Sequence, residues 1–206
     1  FTDRILQMRR EGFNIDPMLN FLDNMNDNPS DQAIVELFDF MQNKHLPITD
    51  DGHFLAYKAV SPDFKDIYTG GNIDNSVGNE VSIERSKVDS NRNKHCSAGL
   101  HVGAIDYVKS YGGIDLDEDN DGGNQIVICK VNPADVVSVP SDAKFQKLRT
   151  CRYEVVSLFN DIFETSVHMT DMGVKKVERT DSWKHEIASK LESVTQVLKR
   201  GKVCVA

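Results

Sequence analysis

One run limits the fold more than any other: Ile126-Val127-Ile128-Cys129-Lys130-Val131. It is apolar except for Lys130 and rich in β-branched residues, which suit strands. A strand sends alternate side chains to opposite faces, so a run apolar on both faces is expected to be central in a sheet and buried on both sides.

The other strands follow from alternation and from the turns that bound them. Asp50-Asp51-Gly52 is a turn. In the strand from His53 to Val60, Phe54, Ala56 and Lys58 share one side, and Leu55, Tyr57 and Ala59 the other. Residues 63–78 read as loop, punctuated by Gly70-Gly71 and Asp74-Asn75. Short strands fit Val81–Ile83, Gly99–Val102 and Val136–Val139, and a longer one fits Leu148–Phe159, with Asn160-Asp161 turning the chain into Ile162–His168. Between them, Ala104–Tyr111 reads as a short helix ended by Gly112-Gly113. Close-spaced strands with turns predict a mostly antiparallel sheet with helices to one side.

The N-terminal region is helical. Ile5, Leu6 and Met8 line a first piece, which Glu11-Gly12 breaks. Asp16 as N-cap with Pro17 after it opens a second. Ser30 caps a third, striped by Ala33, Ile34, Leu37, Phe38 and Met41 and closed by Pro47. Near the other end, residues 175–179 read as a charged linker, and Asp181-Ser182 caps a last helix. Trp183, Ile187, Leu191, Val194 and Leu198 form its stripe, which suits core packing or self-association through residues 182–200. The class is therefore α+β: a helical cap (1–47), a small, mostly antiparallel sheet domain with a short helix (48–172), and a linker with a C-terminal amphipathic helix (173–206). The chain opens at Phe1, without Met and inside a helical pattern, as a fragment would.

Charge and cysteine usage exclude some functions. Acidic residues outnumber basic ones 32 to 24, for a net charge of -8. That argues against bulk nucleic-acid binding, although Lys144, Lys147, Arg149 and Arg152 form a basic cluster in sequence. Four cysteines, Cys96, Cys129, Cys151 and Cys204, are scattered without a C-x-x-C pair, which suits reduced thiols in a cytosol. No apolar run approaches the ~20 residues that span a bilayer.

His95-Cys96-Ser97-Ala98-Gly99-Leu100-His101-Val102 concentrates reactive side chains. A cysteine nucleophile needs a neighbouring base, and strand alternation would point His95 and Cys96 apart. No second Cys/His pair stands near enough to complete a zinc site. Asp117-Glu118-Asp119-Asn120-Asp121-Gly122 begins like a calcium loop, but its twelfth position is Ile128, where a bidentate Glu is required. A solvated acidic loop is the expectation, with no metal and no cofactor. The strongest grouping is a ligand pocket of Lys58, His101, Tyr107, Arg149 and Arg152, if neighbouring strands bring them together. Gly99-Leu100-His101, a Tyr-bearing helix and a Val/Ile strand are loosely similar to the strand–helix–strand core of ADP-ribosyltransferases, at the level of fold alone.

Longer phrases carry a more specific likeness. They include Leu46-Pro47-Ile48-Thr49-Asp50-Asp51-Gly52, Phe54-Leu55-Ala56-Tyr57-Lys58 and Cys96-Ser97-Ala98-Gly99-Leu100-His101-Val102-Gly103. Lys130-Val131-Asn132-Pro133-Ala134-Asp135-Val136 and Arg149-Thr150-Cys151-Arg152-Tyr153-Glu154-Val155 complete the set. Together, over about residues 16–156, they resemble the rIIB family of tailed bacteriophages, protectors from prophage-induced early lysis. The resemblance implies an early phage protein that works with an rIIA-like partner in the host cytoplasm, at most peripheral to the inner membrane. It carries over no catalytic residue. The leading expectation is thus a non-enzymatic protein that counters host or prophage defence by binding. The alternatives are a pocket that sequesters or processes a nucleotide signal and an oligomerising adaptor.

Overall fold

The structure, a computed structural model, describes residues 2–44, 46–115, 123–141 and 145–159, and the helical, exposed positions Ser189, Glu192 and Gln196. The apolar stripe of the C-terminal helix, the linker, the strand expected over Ile162–His168 and the acidic loop beyond Asp115 lie outside the described residues.

Three helices come first: α1 (Thr2–Arg10), α2 (Asp16–Asn26) and α3 (Asp31–Lys44). Gly12, at positive φ, follows the end of α1. Ser30 caps α3 as expected, its Oγ accepting from the Ala33 N–H at 3.2 Å. Asp16 does not cap α2; it lies within the first turn beside Pro17, where its charge still favours the helix N-terminus. Asn28 joins this layer to the sheet. Its buried Nδ2 donates to the carbonyls of Pro133 and Val136 at 2.8 and 2.7 Å, and its Oδ1 accepts from Arg85 at 2.9 Å.

The strands are β1 (Phe54–Val60), β2 (Glu80–Ser82), β3 (Leu100–Gly103), β4 (Gln125–Val131), β5 (Val136–Ser138), β6 (Lys147–Thr150) and β7 (Arg152–Leu158), with α4 (Ile105–Gly112) after β3. They form one sheet, ordered β2-β7-β4-β1-β3-β6-β5, and every pairing is antiparallel. The apolar run is β4, central as expected between β1 and β7. It divides its side chains: Val127, Cys129 and Val131 join the core beneath α2 and α3, while Ile126 and Ile128 join Val108 of α4. Helices therefore cover both faces, where the sequence predicted one, because the Ala59–Ile126–Ile128 face also needs a cover.

The turn before β1 is fastened to α2. Asn20 and Asn24 donate to the carbonyls of Asp50 and Asp51 at 2.8 and 2.9 Å. Gly52 has φ +77°, and a Cβ there would meet the Asn20 backbone at 2.3 Å, so the approach requires glycine.

The expected long strand at Leu148–Phe159 is two strands. Cys151 alone separates β6 from β7, yet they stand sixth and second in the sheet. In a flat sheet, four spacings of about 4.8 Å would part them, far beyond the ~3.5 Å reach of one residue. The sheet rolls instead until its ends meet at Cys151. Ile83, just past β2, donates its N–H to the Cys151 carbonyl at 2.9 Å, and the Cys151 N–H donates to Asp135, just before β5, at 3.0 Å.

Candidate functional site

β1 and β3 share one register pair, Tyr57 with Gly103, and part beyond it. The His101 carbonyl, which a paired strand would satisfy, accepts instead from Lys58 Nζ at 3.4 Å. Where the strands separate, a cavity of about 410 Å³ opens, within the range that takes small molecules.

Five segments build most of its walls. Lys58 and Ala59 of β1 face Leu100, His101 and Val102 of β3 across the gap. Residues 95–99 form one side, residues 66–69 another, and α4 contributes Tyr107 and Tyr111. The rings of Tyr107 and Tyr111 stack at 5.8 Å with an interplanar angle of 20°. Tyr68 and Tyr111 stand at the mouth, 74% and 50% exposed. Of the five tyrosines in the chain, these three and Tyr57 line the cavity.

Buried charge holds the walls. Lys58 Nζ lies 2.6 Å from Asp66 Oδ2, both nearly enclosed. Burial pushes the Asp66 carboxyl up, but the charge and hydrogen bond of Lys58, with the Thr69 and Tyr68 amides, hold it below the ordinary carboxylate range. The Tyr68 and Thr69 amides, donating to Asp66 Oδ1 at 2.9 and 3.0 Å, fix the 66–69 wall. The opposite wall hangs on Arg149. This arginine is 0% exposed and donates to the carbonyls of Asp89 and Asn91 at 3.1 Å and to that of Lys94. Asp89 accepts from Ser97 Oγ at 2.5 Å, and Lys147 Nζ donates to the His95 carbonyl at 2.9 Å. Gly99, at φ +143°, lies so close to Val88 and Arg149 that a Cβ would come within 2.9 Å of the Val88 side chain.

Of the residues expected to bind a ligand, Lys58, His101 and Tyr107 do line one cavity. Arg149 lies behind its wall, spent on backbone carbonyls. Arg152 lies elsewhere, on β7, its Nε 3.0 Å from Asp135 Oδ2. Among the described residues the basic cluster in sequence does not form one surface: Lys147 and Arg149 are buried and Arg152 pairs with Asp135, while Lys144 is outside the described residues. β3 begins only at Leu100, so strand alternation does not govern His95 and Cys96; both are exposed and line the cavity. Sequence reasoning passed over Asp66, Tyr68 and Tyr111. A lysine flanked by apolar residues in a buried strand was the signal that a carboxylate had to lie nearby.

Burial drives the His101 pKa down to about 4; the charges of Lys58, Arg149 and Lys147 act in the same direction, and a hydrogen bond with the Gly99 backbone opposes them. The imidazole is thus neutral at pH 7. An unfolded chain takes up its proton near 6.5, so His101 stabilises the fold fully above that pH and progressively less down to about pH 4. The loss across that window should reach on the order of 3 kcal/mol. Denaturant titrations from pH 7.5 to 4 should show it, and His101→Gln should flatten that part of the profile. A variant with an unchanged profile would assign the loss to other groups.

Among the described residues no cluster of His, Cys, Asp or Glu is arranged to hold a metal ion, and no helix is long and apolar enough to cross a membrane.

The sheet, its cavity and the helical layer lie within a region shared with known phage proteins. A family model for bacteriophage T4 protein rIIB matches residues 1–162, taking in α1 as well as the phrases noted above. The chain belongs to this rIIB family of phage proteins. Protein rIIB of Enterobacteria phage T4 is 37% identical over 163 residues, which is 79% of this chain and 49% of that protein. The chain thus spans about half the length of this curated relative. No solved structure matches it.

Proposed function

We propose that the chain acts by binding: it counters host- or prophage-encoded defence in the infected cell, and the cavity between β1 and β3 is where it engages its target ligand. The observation that carries this reading is the construction of the cavity. Lys58, Asp66, Lys147 and Arg149 are spent on holding its walls, while Tyr68 and Tyr111 are left exposed at the mouth. Preformed walls with aromatic side chains favour binding, because little ordering is paid on association. Family membership supports the phage setting. An rIIA-like phage protein or a host defence component is the proposed protein partner, acting in the host cytoplasm or at the inner face of its membrane.

The test is a cavity-filling variant. Ala98 lines the cavity and is exposed, so Ala98→Trp adds bulk without disturbing the core. Phage carrying Ala98→Trp in the complete gene should plate poorly on a host lysogenic for an excluding prophage and normally on the same host without it. Equal plating on both hosts, with the variant protein shown to be folded, would overturn the reading.

A further inference from the structure

We infer that the cavity takes a ligand of mononucleotide kind, with its flat base at the Tyr68–Tyr111 mouth and its phosphate at the inner, His101 end. This rests on the cavity being the binding site proposed above, and it names the ligand class.

The mouth supplies flat, exposed aromatic surface. Tyr111 is already stacked on Tyr107, so its ring is held in place by a neighbour while half of the residue stays open. A fixed, exposed ring is a platform for another ring, and stacking accepts any base because every base has a π-face. Asp66, Tyr68 and Cys96 line the same cavity as Tyr111, and with burial they hold its hydroxyl above the ordinary range.

The inner end is electropositive. Lys58 and Lys147 line the cavity, Arg149 lies behind it, and Asp66 is the single carboxylate among the described lining residues. At His101 the charges of Lys58, Arg149 and Lys147 add to burial in disfavouring a further positive charge. Cations converging on one position attract an anion there, and more strongly in a shielded cavity than in water. In a chain of net charge -8 this is a local inversion of the overall field. Lys147 Nζ also lies 5.8 Å from the Tyr107 ring centroid, so the cationic and aromatic halves of the cavity adjoin. The ligand implied has a flat ring at one end, an anion at the other and the size of a nucleotide. The volume of about 410 Å³ leaves little room for more.

The experiment is calorimetric titration of the full chain with AMP, GMP, CMP and UMP, and with adenosine and inorganic phosphate as the two halves. At least one nucleotide should bind, and more tightly than either half. Tyr111→Ala should weaken it by about 5- to 150-fold, the range for loss of one base–aromatic stack, and Tyr111→Phe should restore it. Lys147→Gln should weaken the nucleotide by a larger factor than adenosine, a contrast that general loosening of the wall would not produce. Circular dichroism shows whether each variant is folded. No binding of any nucleotide to folded protein, or equal binding to wild type and Tyr111→Ala, overturns the inference. Plating with Ala98→Trp separates the two claims: absent nucleotide binding with lost protection rejects the ligand class alone, and normal plating rejects the cavity as the functional site.

Discussion

Lys58→Met is expected to lower the unfolding free energy by about 3–5 kcal/mol, the cost of removing one partner from a buried ion pair. Lys58 and Asp66 are 9% and 8% exposed at their side chains, so water does little to screen the carboxylate left behind. The loss is a large share of the roughly 5–15 kcal/mol that holds a typical domain together. Two controls separate charge from packing. Without the lysine, burial raises the Asp66 pKa above its unfolded value, so the deficit should shrink on acidification and grow again as pH rises through the shifted value. Lys58→Met with Asp66→Asn removes the stranded charge and leaves an oxygen for the Tyr68 and Thr69 amides, so it should recover part of the loss. Urea denaturation measures all three proteins. A Lys58→Met midpoint equal to wild type would mean that Asp66 is already hydrated.

Arg149→Lys should cost about 2–4 kcal/mol, since hydrogen bonds made by a charged donor are worth about 1.5–3 kcal/mol each and at least one or two are lost. The guanidinium reaches three carbonyls and the Ser138 hydroxyl from a single rigid fork. An ammonium has three donors on one atom and cannot span the same acceptors. The effect should spread beyond stability. Those carbonyls belong to Asp89, Asn91 and Lys94, which lead into the 95–99 wall. Arg149→Lys should therefore speed amide hydrogen exchange across residues 89–99 and weaken ligand capture, although Arg149 does not line the cavity. Unchanged exchange there would show that Asp89 and Lys147 hold the wall without it.

Local signals made much of the architecture legible. Capping at Ser30, the apolar stripe of α3 and the alternation of β1 each depend on neighbours in sequence, and each element formed where those neighbours placed it. The run at β4 was legible for the same reason. The break at Cys151 was not. Leu148–Phe159 keeps a strand pattern throughout, and only the meeting of the two sheet ends forces the chain to turn there. Charge shows the corresponding limit. Lys58 and Arg149 stand out in sequence as cations available to a ligand, but the acceptors that claim them come from distant segments: Asp66 for one, the backbone of residues 89–94 for the other. Arg152 is likewise claimed by Asp135. His101 and Tyr107 were legible as a pair because β3 runs directly into α4.

The parting of β1 from β3 has a mechanical meaning. A sheet closed on itself at Cys151 and nearly open elsewhere is a split ring, with Tyr57–Gly103 as its last rung. A split ring has a soft mode: widening or narrowing the slot changes the curvature of the whole hoop. The width of the slot and the placing of the outer strands β2 and β5 are geometrically linked, since the residues next to both are tied to the clasp at Cys151. The two sides of the slot are thus joined twice: across the single rung, and around the back of the ring through the clasp at Cys151.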